Sequence, residues 1–394
     1  MASNRFYAER LHAVRSWDDF ARLPFTTKPE LVADQAAVPP FGTNLTYPLE
    51  QYVRLHQTSG SSGSRPLRWL DTADSWAWWR RIWAEHIYAA AGVSARDRVF
   101  LAFSFGPFVG FWSAFEGSEH VGALTMTGGS MTTEQRLDAI IELGVTVLVC
   151  TPTYALRLAE VAASAGVDLA ASPVRLTVHA GEAGASIPAT RALIERSYGA
   201  RCFDHTGMSE LGPTGFGCPT GLGVHLIETE FIFEVLPDGA APLPEATAPA
   251  GRGELVATNL GRWGSPVVRY RTGDVVELSR AGCSCGSDLP LAVGGILGRV
   301  DDMLTVRGVN LYPAQVEDIV RRYPDVLEFQ ISHRRERHMD EVTLVLEVEA
   351  GRYAVLDVLS AELRKLLGVR VDCRAVDPGT LPRGELKSRR VVRH

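Results

Sequence analysis

Between residues 97 and 180 the apolar positions follow two alternating rhythms. Short apolar runs at Arg98-Val99-Phe100-Leu101-Ala102-Phe103, Ala123-Leu124-Thr125-Met126, Thr146-Val147-Leu148-Val149-Cys150 and Arg175 to His179 read as strands. Pro107 to Val121, Thr133 to Glu142 and Tyr154 to Ala165 lie between them and read as helices. This repetition predicts a mainly parallel sheet covered by helices, with ligands beyond the carboxyl ends of its strands. After residue 220 the texture changes. Glu228 to Leu236 and Gly253 to Ala257 read as strands separated by a Pro/Ala-rich loop, which predicts an antiparallel or barrel-like part.

A second change comes at Gly298. From Pro313, a residue suited to the first helical position, Val316, Ile319 and Val320 recur at helical spacing. Two strands, Val326 to Ser332 and Val342 to Val348, flank a charged turn, and a helix with Leu356, Leu359, Leu363 and Leu366 on one face is closed by Gly368. The fold class is therefore α/β. Residues 1–299 form a large N-terminal domain of parallel sheets covered by helices plus a barrel-like part, and residues 300–394 form a small α+β C-terminal domain.

Composition adds exclusions. The 394 residues are 46% hydrophobic and 22% charged, an ordinary globular balance. A formal charge of -6 gives no basic field, so nucleic acid is not the expected partner. No apolar N-terminal segment follows a basic stretch, and the apolar runs are too short to span a bilayer; a cytoplasmic protein without membrane attachment is expected. Six cysteines in such a chain do not make a disulfide scaffold, and Cys150 and Cys373 fall in strand patterns as core thiols.

Five short motifs in a fixed order carry the chemistry. Thr58-Ser59-Gly60-Ser61-Ser62-Gly63 follows a strand-like Tyr52 to Leu55 and offers hydroxyls and unhindered backbone N–H groups to a triphosphate. It is not a Walker loop, and alone it reads equally as a flexible linker. Thr206-Gly207-Met208-Ser209-Glu210 places a carboxylate in a Gly-containing turn, where it suits Mg²⁺ arriving with phosphates or simply a helix start. Asp274 ends a strand-like run in Tyr270-Arg271-Thr272-Gly273-Asp274, placed to accept both ribose hydroxyls or to form a turn. Arg299, in Gly298-Arg299-Val300-Asp301-Asp302, offers bidentate donors. Lys387, in Gly384-Glu385-Leu386-Lys387-Ser388, is a terminal cation, either solvated or able to stabilise displacement at an α-phosphate.

In this order the motifs resemble the adenylate-forming superfamily of acyl-CoA synthetases, adenylation domains and luciferases, and more closely its phenylacetate–CoA ligase branch. The resemblance runs from Leu23-Pro24-Phe25-Thr26-Thr27-Lys28 to Lys387 and includes Thr127-Gly128-Gly129, Cys150 to Leu156 and Arg307-Gly308-Val309-Asn310. It implies attack of a substrate carboxylate on MgATP to give an acyl-adenylate and pyrophosphate. A mobile C-terminal domain then rotates and a thiol, usually that of coenzyme A, displaces AMP. On this resemblance Thr58 to Gly63 is the phosphate loop, Glu210 the magnesium residue, Asp274 and Arg299 the ribose ligands, Asp301 the hinge and Lys387 the residue of the first step. Gly181-Glu182 lies along the adenine. The branch usually has an aromatic where this chain has Thr206, a loss for which His205 is the candidate to compensate. Ser64-Arg65 also departs from the lysine common near the proline, with Arg65 as its candidate replacement.

Cys218 and His225, with Cys283 and Cys285 in Gly282-Cys283-Ser284-Cys285-Gly286, supply three thiolates and an imidazole, the donor set of a closed tetrahedral zinc site, though reduced surface thiols would look the same. Members of the resembled branch carry such a zinc, so a structural Zn²⁺ is expected. Phe105 and Phe108 are candidate walls of the acyl pocket, or core residues, and Gly207, Gly212 and Pro213 leave a flat slot. A small aryl carboxylic acid fits these residues: phenylacetate, or a hydroxy- or aminobenzoate. The alternatives are an adenylation enzyme loading a carrier-protein phosphopantetheine, with Arg334-Arg335-Glu336-Arg337-His338 as a basic docking turn, and a catalytically silent nucleotide-binding regulator. Monomer and homodimer both stay open.

Overall fold

The computed structural model describes residues 3–58, 66–241, 243–306, 309–336, 339–368, 371–382 and 390–393. Strands β1 (Tyr52–Gln57) and β2 (Arg68–Thr72) form an antiparallel hairpin around the expected phosphate loop. Thr58 N–H donates to the Leu67 carbonyl at 2.9 Å, and Leu67 N–H donates back to Thr58 Oγ1 at 3.1 Å. This closes the base of the loop. Ser59, Gly60, Ser61, Ser62 and Gly63 lie outside the described residues.

The expected parallel sheet is present. β3 (Arg98–Leu101), β4 (Leu124–Thr127), β5 (Val147–Cys150), β6 (Leu176–His179) and the first half of β7 (Arg201–Met208) pair in parallel in the order β4-β3-β5-β6-β7. Successive side chains point to opposite faces. Val99, Leu101, Val147, Val149, Leu176 and Val178 therefore join one core, while Phe100, Leu148, Cys150 and Cys202 join another. Helices Val109–Val121, Thr133–Glu142, Pro152–Ser164 and Pro188–Tyr198 cross between strands. The third starts two residues before the sequence expectation, because the Thr151 hydroxyl accepts from Tyr154 N–H and Pro152 fills the first turn. The first core also takes Trp76, Trp78, Trp79 and Trp83 from a helical segment after β2.

β7 changes partner half-way. From His205 it pairs antiparallel with β8 (Gly212–Gly217), followed in sequence by β9 (Gly223–Leu226), β10 (Phe231–Pro237), β11 (Gly251–Asn259), β12 (Tyr270–Ser279), β13 (Leu291–Val293) and β14 (Gly298–Arg299). The order onward from β7 is β8-β9-β13-β12-β11-β10, with β14 on β12, so the antiparallel part continues the parallel sheet. Two sequence readings shift here. Glu210 lies in a turn as expected, but Thr206, Gly207 and Met208 of its motif belong to β7 rather than to the turn. Asp274 sits inside a strand rather than at its end, because Val275 and Val276 continue the pairing with β11.

The small α+β unit has its own sheet and core. β15 (Leu304–Val306) and β16 (Val309–Leu311) form a hairpin; β17 (Val326–Glu336), β18 (Met339–Val348), β19 (Asp372–Val376) and β20 (Val391–Arg393) form a sheet in the order β19-β18-β17-β20. Helices Pro313–Val320 and Val355–Leu367 bring Val316, Ile319, Leu359 and Leu363 onto it. Leu366 is half exposed, and Leu367 packs on the core instead. Among the described residues no helix is long and apolar enough to cross a membrane.

Candidate active site

Glu210 lies buried in the turn between β7 and β8. Its Oε1 accepts from the Tyr270 hydroxyl at 3.5 Å and is 3.4 Å from Lys28 Nζ. The turn is held from below by Arg262, whose Nη1 donates to the Ser209 carbonyl at 2.5 Å and the Glu210 carbonyl at 3.2 Å. The other face of this guanidinium grips Asp71 on β2 through two bonds of 2.7 Å, with both side chains at 0% exposure. The rings of Trp69 and Trp79 lie 5.0 and 5.1 Å from it. Burial opposes ionisation of Asp71, but the Arg262 charge prevails and holds its carboxyl below the usual range. A buried ion pair thus joins the hairpin of the expected phosphate loop to the backbone of the Glu210 turn.

Asp274 and Arg299 face each other across β12 and β14, in register, with Arg299 Nη1 2.9 Å from Asp274 Oδ1. Arg299 Nε reaches Asp301 Oδ1 at 3.0 Å, and the Asp301 carbonyl accepts from Arg393 Nη2 at 2.6 Å. Gly273 has φ +75, and a Cβ there would stand 2.7 Å from Arg299 Nη2. Only glycine gives both that backbone and that room. Burial pushes the Asp274 carboxyl up to about 6, with the nearby Glu210 charge adding to the rise while Arg299 opposes it. Glu210 thus rests on Tyr270 near the start of β12, and Arg299 bridges Asp274 further along the same strand to Asp301, with the Glu210 charge felt at Asp274.

The remaining candidates are spread around it. Glu182 Oε1 accepts from Thr153 N–H at 2.9 Å, just beyond Gly181. His205 is buried against Trp83, ring centroids 4.4 Å apart, with Nδ1 2.7 Å from the Gly215 carbonyl; burial pushes its pKa down to about 4, so it is neutral. Thr206 Oγ1 accepts from Thr214 at 3.1 Å. Gly207 and Pro213 are cross-strand partners, and a Cβ on Gly212 would meet the Trp78 ring at 2.9 Å. Phe105 packs within an aromatic cluster with Phe103, Trp112 and Phe115, while Phe108 is 40% exposed at the start of the Val109–Val121 helix. Gln57 N–H donates to the Pro107 carbonyl at 2.8 Å, joining this loop to β1. Lys387 lies outside the described residues.

Cys218, His225, Cys283 and Cys285 converge, their donor atoms all within 4.8 Å of one another. Cys218 Sγ is 3.6 Å from Cys283 Sγ, and His225 Nε2 is 3.2 Å from Cys285 Sγ. A tetrahedral zinc with Zn–S of about 2.3 Å separates its sulfurs by about 3.8 Å, so the donors fit. The Leu289 carbonyl, 3.0 Å from His225 Nδ1, accepts a hydrogen bond from the protonated Nδ1 and leaves the Nε2 lone pair to face the thiols.

Comparison with known proteins follows the same outline. The model of the AMP-binding enzyme C-terminal domain matches residues 308–394. A phenylacetate–coenzyme A ligase of Thermus thermophilus is 32% identical over 96% of this chain and 88% of its own length. One of Escherichia coli is 31% identical over 99% and 89%. The chain belongs to the phenylacetate–coenzyme A ligase family. It is an AMP-forming acid–thiol ligase of the adenylate-forming superfamily. A solved 2-hydroxyisobutyryl-CoA ligase in the postadenylation state, in complex with 2-HIB-AMP, is 28% identical and superposes with a TM-score of 0.91, covering 100% of this chain and 86% of that one. The same ligase with 2-HIB-AMP and CoA in the thioesterification state, 29% identical, gives 0.70 over 99% and 86%.

Two parts of the site escaped the sequence reading. Lys28 was visible only as the end of Leu23 to Lys28; the capping box between Thr27 and Glu30, which fixes the helix that presents it, is the signal that could have found it. Arg262 and Asp71 stand 191 residues apart, with no motif to join them.

Proposed function

We propose that this enzyme activates a small aryl carboxylic acid with ATP and transfers the acyl group to coenzyme A. The carboxylate oxygen attacks the α-phosphorus and the bond to pyrophosphate breaks; the thiolate sulfur then attacks the acyl carbon and AMP leaves. The observation that carries this reading is that one strand, β12, bears both the Tyr270 that holds Glu210 and the Asp274 that holds Arg299, in a family whose relatives are named as phenylacetate ligases. Asp274 would accept the ribose hydroxyls with Arg299 beside it. Thr58 to Gly63 would surround the phosphates, and Gly181, Glu182, His205 and Thr206 would border the adenine. Glu210 is the carboxylate suited to Mg²⁺, which when bound supplies charge neutralisation at the phosphates. Lys387 would stabilise the first displacement only. Phe105 and Phe108, with the backbone at Gly207, Gly212 and Pro213, would shape the acyl pocket.

The division into residues 1–299 and a moving unit from 300, with Asp301 as hinge, is supported by the two TM-scores against one ligase in two states. The four-donor cluster would hold a structural zinc, tying the loop after β8 to the loop after β12. A second reading of the substrate, a short hydroxy acid, is favoured by the 0.91 superposition on a 2-hydroxyisobutyryl ligase.

ATP–pyrophosphate exchange over aryl, alkyl and hydroxy acids, followed by coenzyme A and product mass, tests all of this. Exchange with an aryl acid and an aryl-CoA mass are expected, both lost for exchange in Lys387→Ala. Exchange only with hydroxy acids would replace the substrate reading, and exchange without a CoA product would point to a carrier-protein acceptor.

A further inference from the structure

The helix Pro188–Tyr198 in the large domain lacks a cap of its own. Its N-cap residue is Ile187, which has no side-chain acceptor, and Pro188 takes the first helical position. An N-cap side chain ordinarily satisfies the N–H of the second or third helical residue. Here the small domain supplies it. Asp318 Oδ1 accepts from Ala189 N–H at 3.0 Å, and Glu317 Oε1 accepts from the Thr190 hydroxyl at 3.1 Å. Thr190 and Glu317 are 1% and 7% exposed, so the contact is sealed from water. Both carboxylates lie where the helix dipole is positive.

The same glutamate is tied to the chain that carries Lys387. Arg390, three residues later, donates through Nε to Glu317 Oε2 at 3.1 Å and through Nη1 to Glu328 Oε1 at 2.5 Å. Arg321 Nη2 reaches the same Glu328 oxygen at 3.2 Å. One oxygen of Glu317 thus faces the large domain and the other the terminal segment. Any rotation of the small domain that carries its Pro313–Val320 helix away would uncap the 188–198 helix and leave a buried threonine hydroxyl without its acceptor.

We propose that Glu317 and Asp318 are positioning residues that cap the 188–198 helix in one domain orientation only, and so bias the enzyme toward adenylate formation and set how readily it leaves for thioester formation. This rests on the two-step reading above. Asp318→Ala removes one of the two bonds and Thr190→Val the other, and neither residue touches the proposed nucleotide or acyl groups. Loss of a helix cap corresponds to a shift of about two- to thirtyfold in the orientation equilibrium. Pyrophosphate exchange should fall in both variants within that range. Thioester formation from preformed acyl-adenylate should hold or rise. Asp318→Asn, which keeps an acceptor oxygen, should recover most of the exchange.

Small-angle scattering of wild type and Asp318→Ala, in the absence of substrates, reads the same bias without activity; a broader distance distribution in the variant is expected. If wild type shows neither half-reaction, the two-step reading fails while scattering still judges the cap. Equal loss of both half-reactions, or unchanged exchange with unchanged scattering, would overturn the proposal.

Discussion

Two of the Arg–Asp pairs in this molecule, Arg262 with Asp71 and Arg299 with Asp274, are alike in chemistry and opposite in setting. Arg262 and Asp71 are sealed beneath the Glu210 turn, neither exposed at all. Arg299 and Asp274 meet at the edge of the large domain, with the arginine side chain 43% exposed and its other nitrogen on Asp301. The buried pair is a strut: its charges have no solvent to return to, so each needs the other. The edge pair is a contact that a ligand can join or replace at smaller cost, since its arginine stays in touch with solvent while only the carboxylate is largely buried. The fold commits a fully buried ion pair to placing a backbone turn, and leaves the carboxylate proposed for the ribose in the more open one.

The largest expected effect breaks the strut. Arg262→Ala leaves Asp71 charged and buried, and denaturant unfolding should show a loss of about 3–5 kcal/mol. Replacing both partners, Asp71→Ala with Arg262→Met, should cost less than Arg262→Ala alone; additive losses would show that the two charges do not act as a pair. Removal of zinc from protein shown to contain it should come next. Melting should fall, because metal binding energy is folding energy, but by less than for the strut, since β9 and β13 still join the two loops. An unchanged melting curve after verified metal loss would end the structural assignment.

The edge pair should behave differently. Arg299→Ala should shift stability by no more than about 1 kcal/mol while raising the KM for ATP, a split that calorimetry and steady-state kinetics would read. The smallest effect concerns pH. Asp274, pushed up to about 6, keeps a proton in the fold where the unfolded chain has already released it. Its stabilising contribution is complete below the ordinary carboxylate pKa and is lost as pH rises through about 6. Asp71, held low, contributes above the ordinary pKa and loses its contribution only as pH falls. Unfolding midpoints of ligand-free wild type and Asp274→Asn should therefore diverge in favour of Asn as pH rises from about 4, the ordinary carboxylate value, to about 6, and hold level above it. A difference flat in pH would remove the raised titration.

The parts legible in the sequence were those whose physics is local. Strands β3, β5 and β6 announce themselves because both faces are covered and the runs are apolar throughout. Glu210, Asp274 and Arg299 sit in short motifs, and the four clustered Cys and His donors proposed for zinc are residue types with few other uses as a group. The strut was invisible because a buried charge looks like an exposed one until its partner is known. The Asp274 strand was read as ending early for a related reason: Gly273 signals a break locally, and only pairing with β11 carries the strand through it. The capping of the 188–198 helix was likewise hidden, since its acceptors lie about 130 residues downstream in another sheet's domain.

β7 pairs in two ways along its length, parallel to β6 through Asp204 and antiparallel to β8 from His205. A cut between those residues would leave each fragment with half of β7 and an unpaired edge. Split versions of this enzyme, or permuted ones with new ends in the large domain, should therefore assemble only when the break falls elsewhere, as in the exposed loop between β10 and β11.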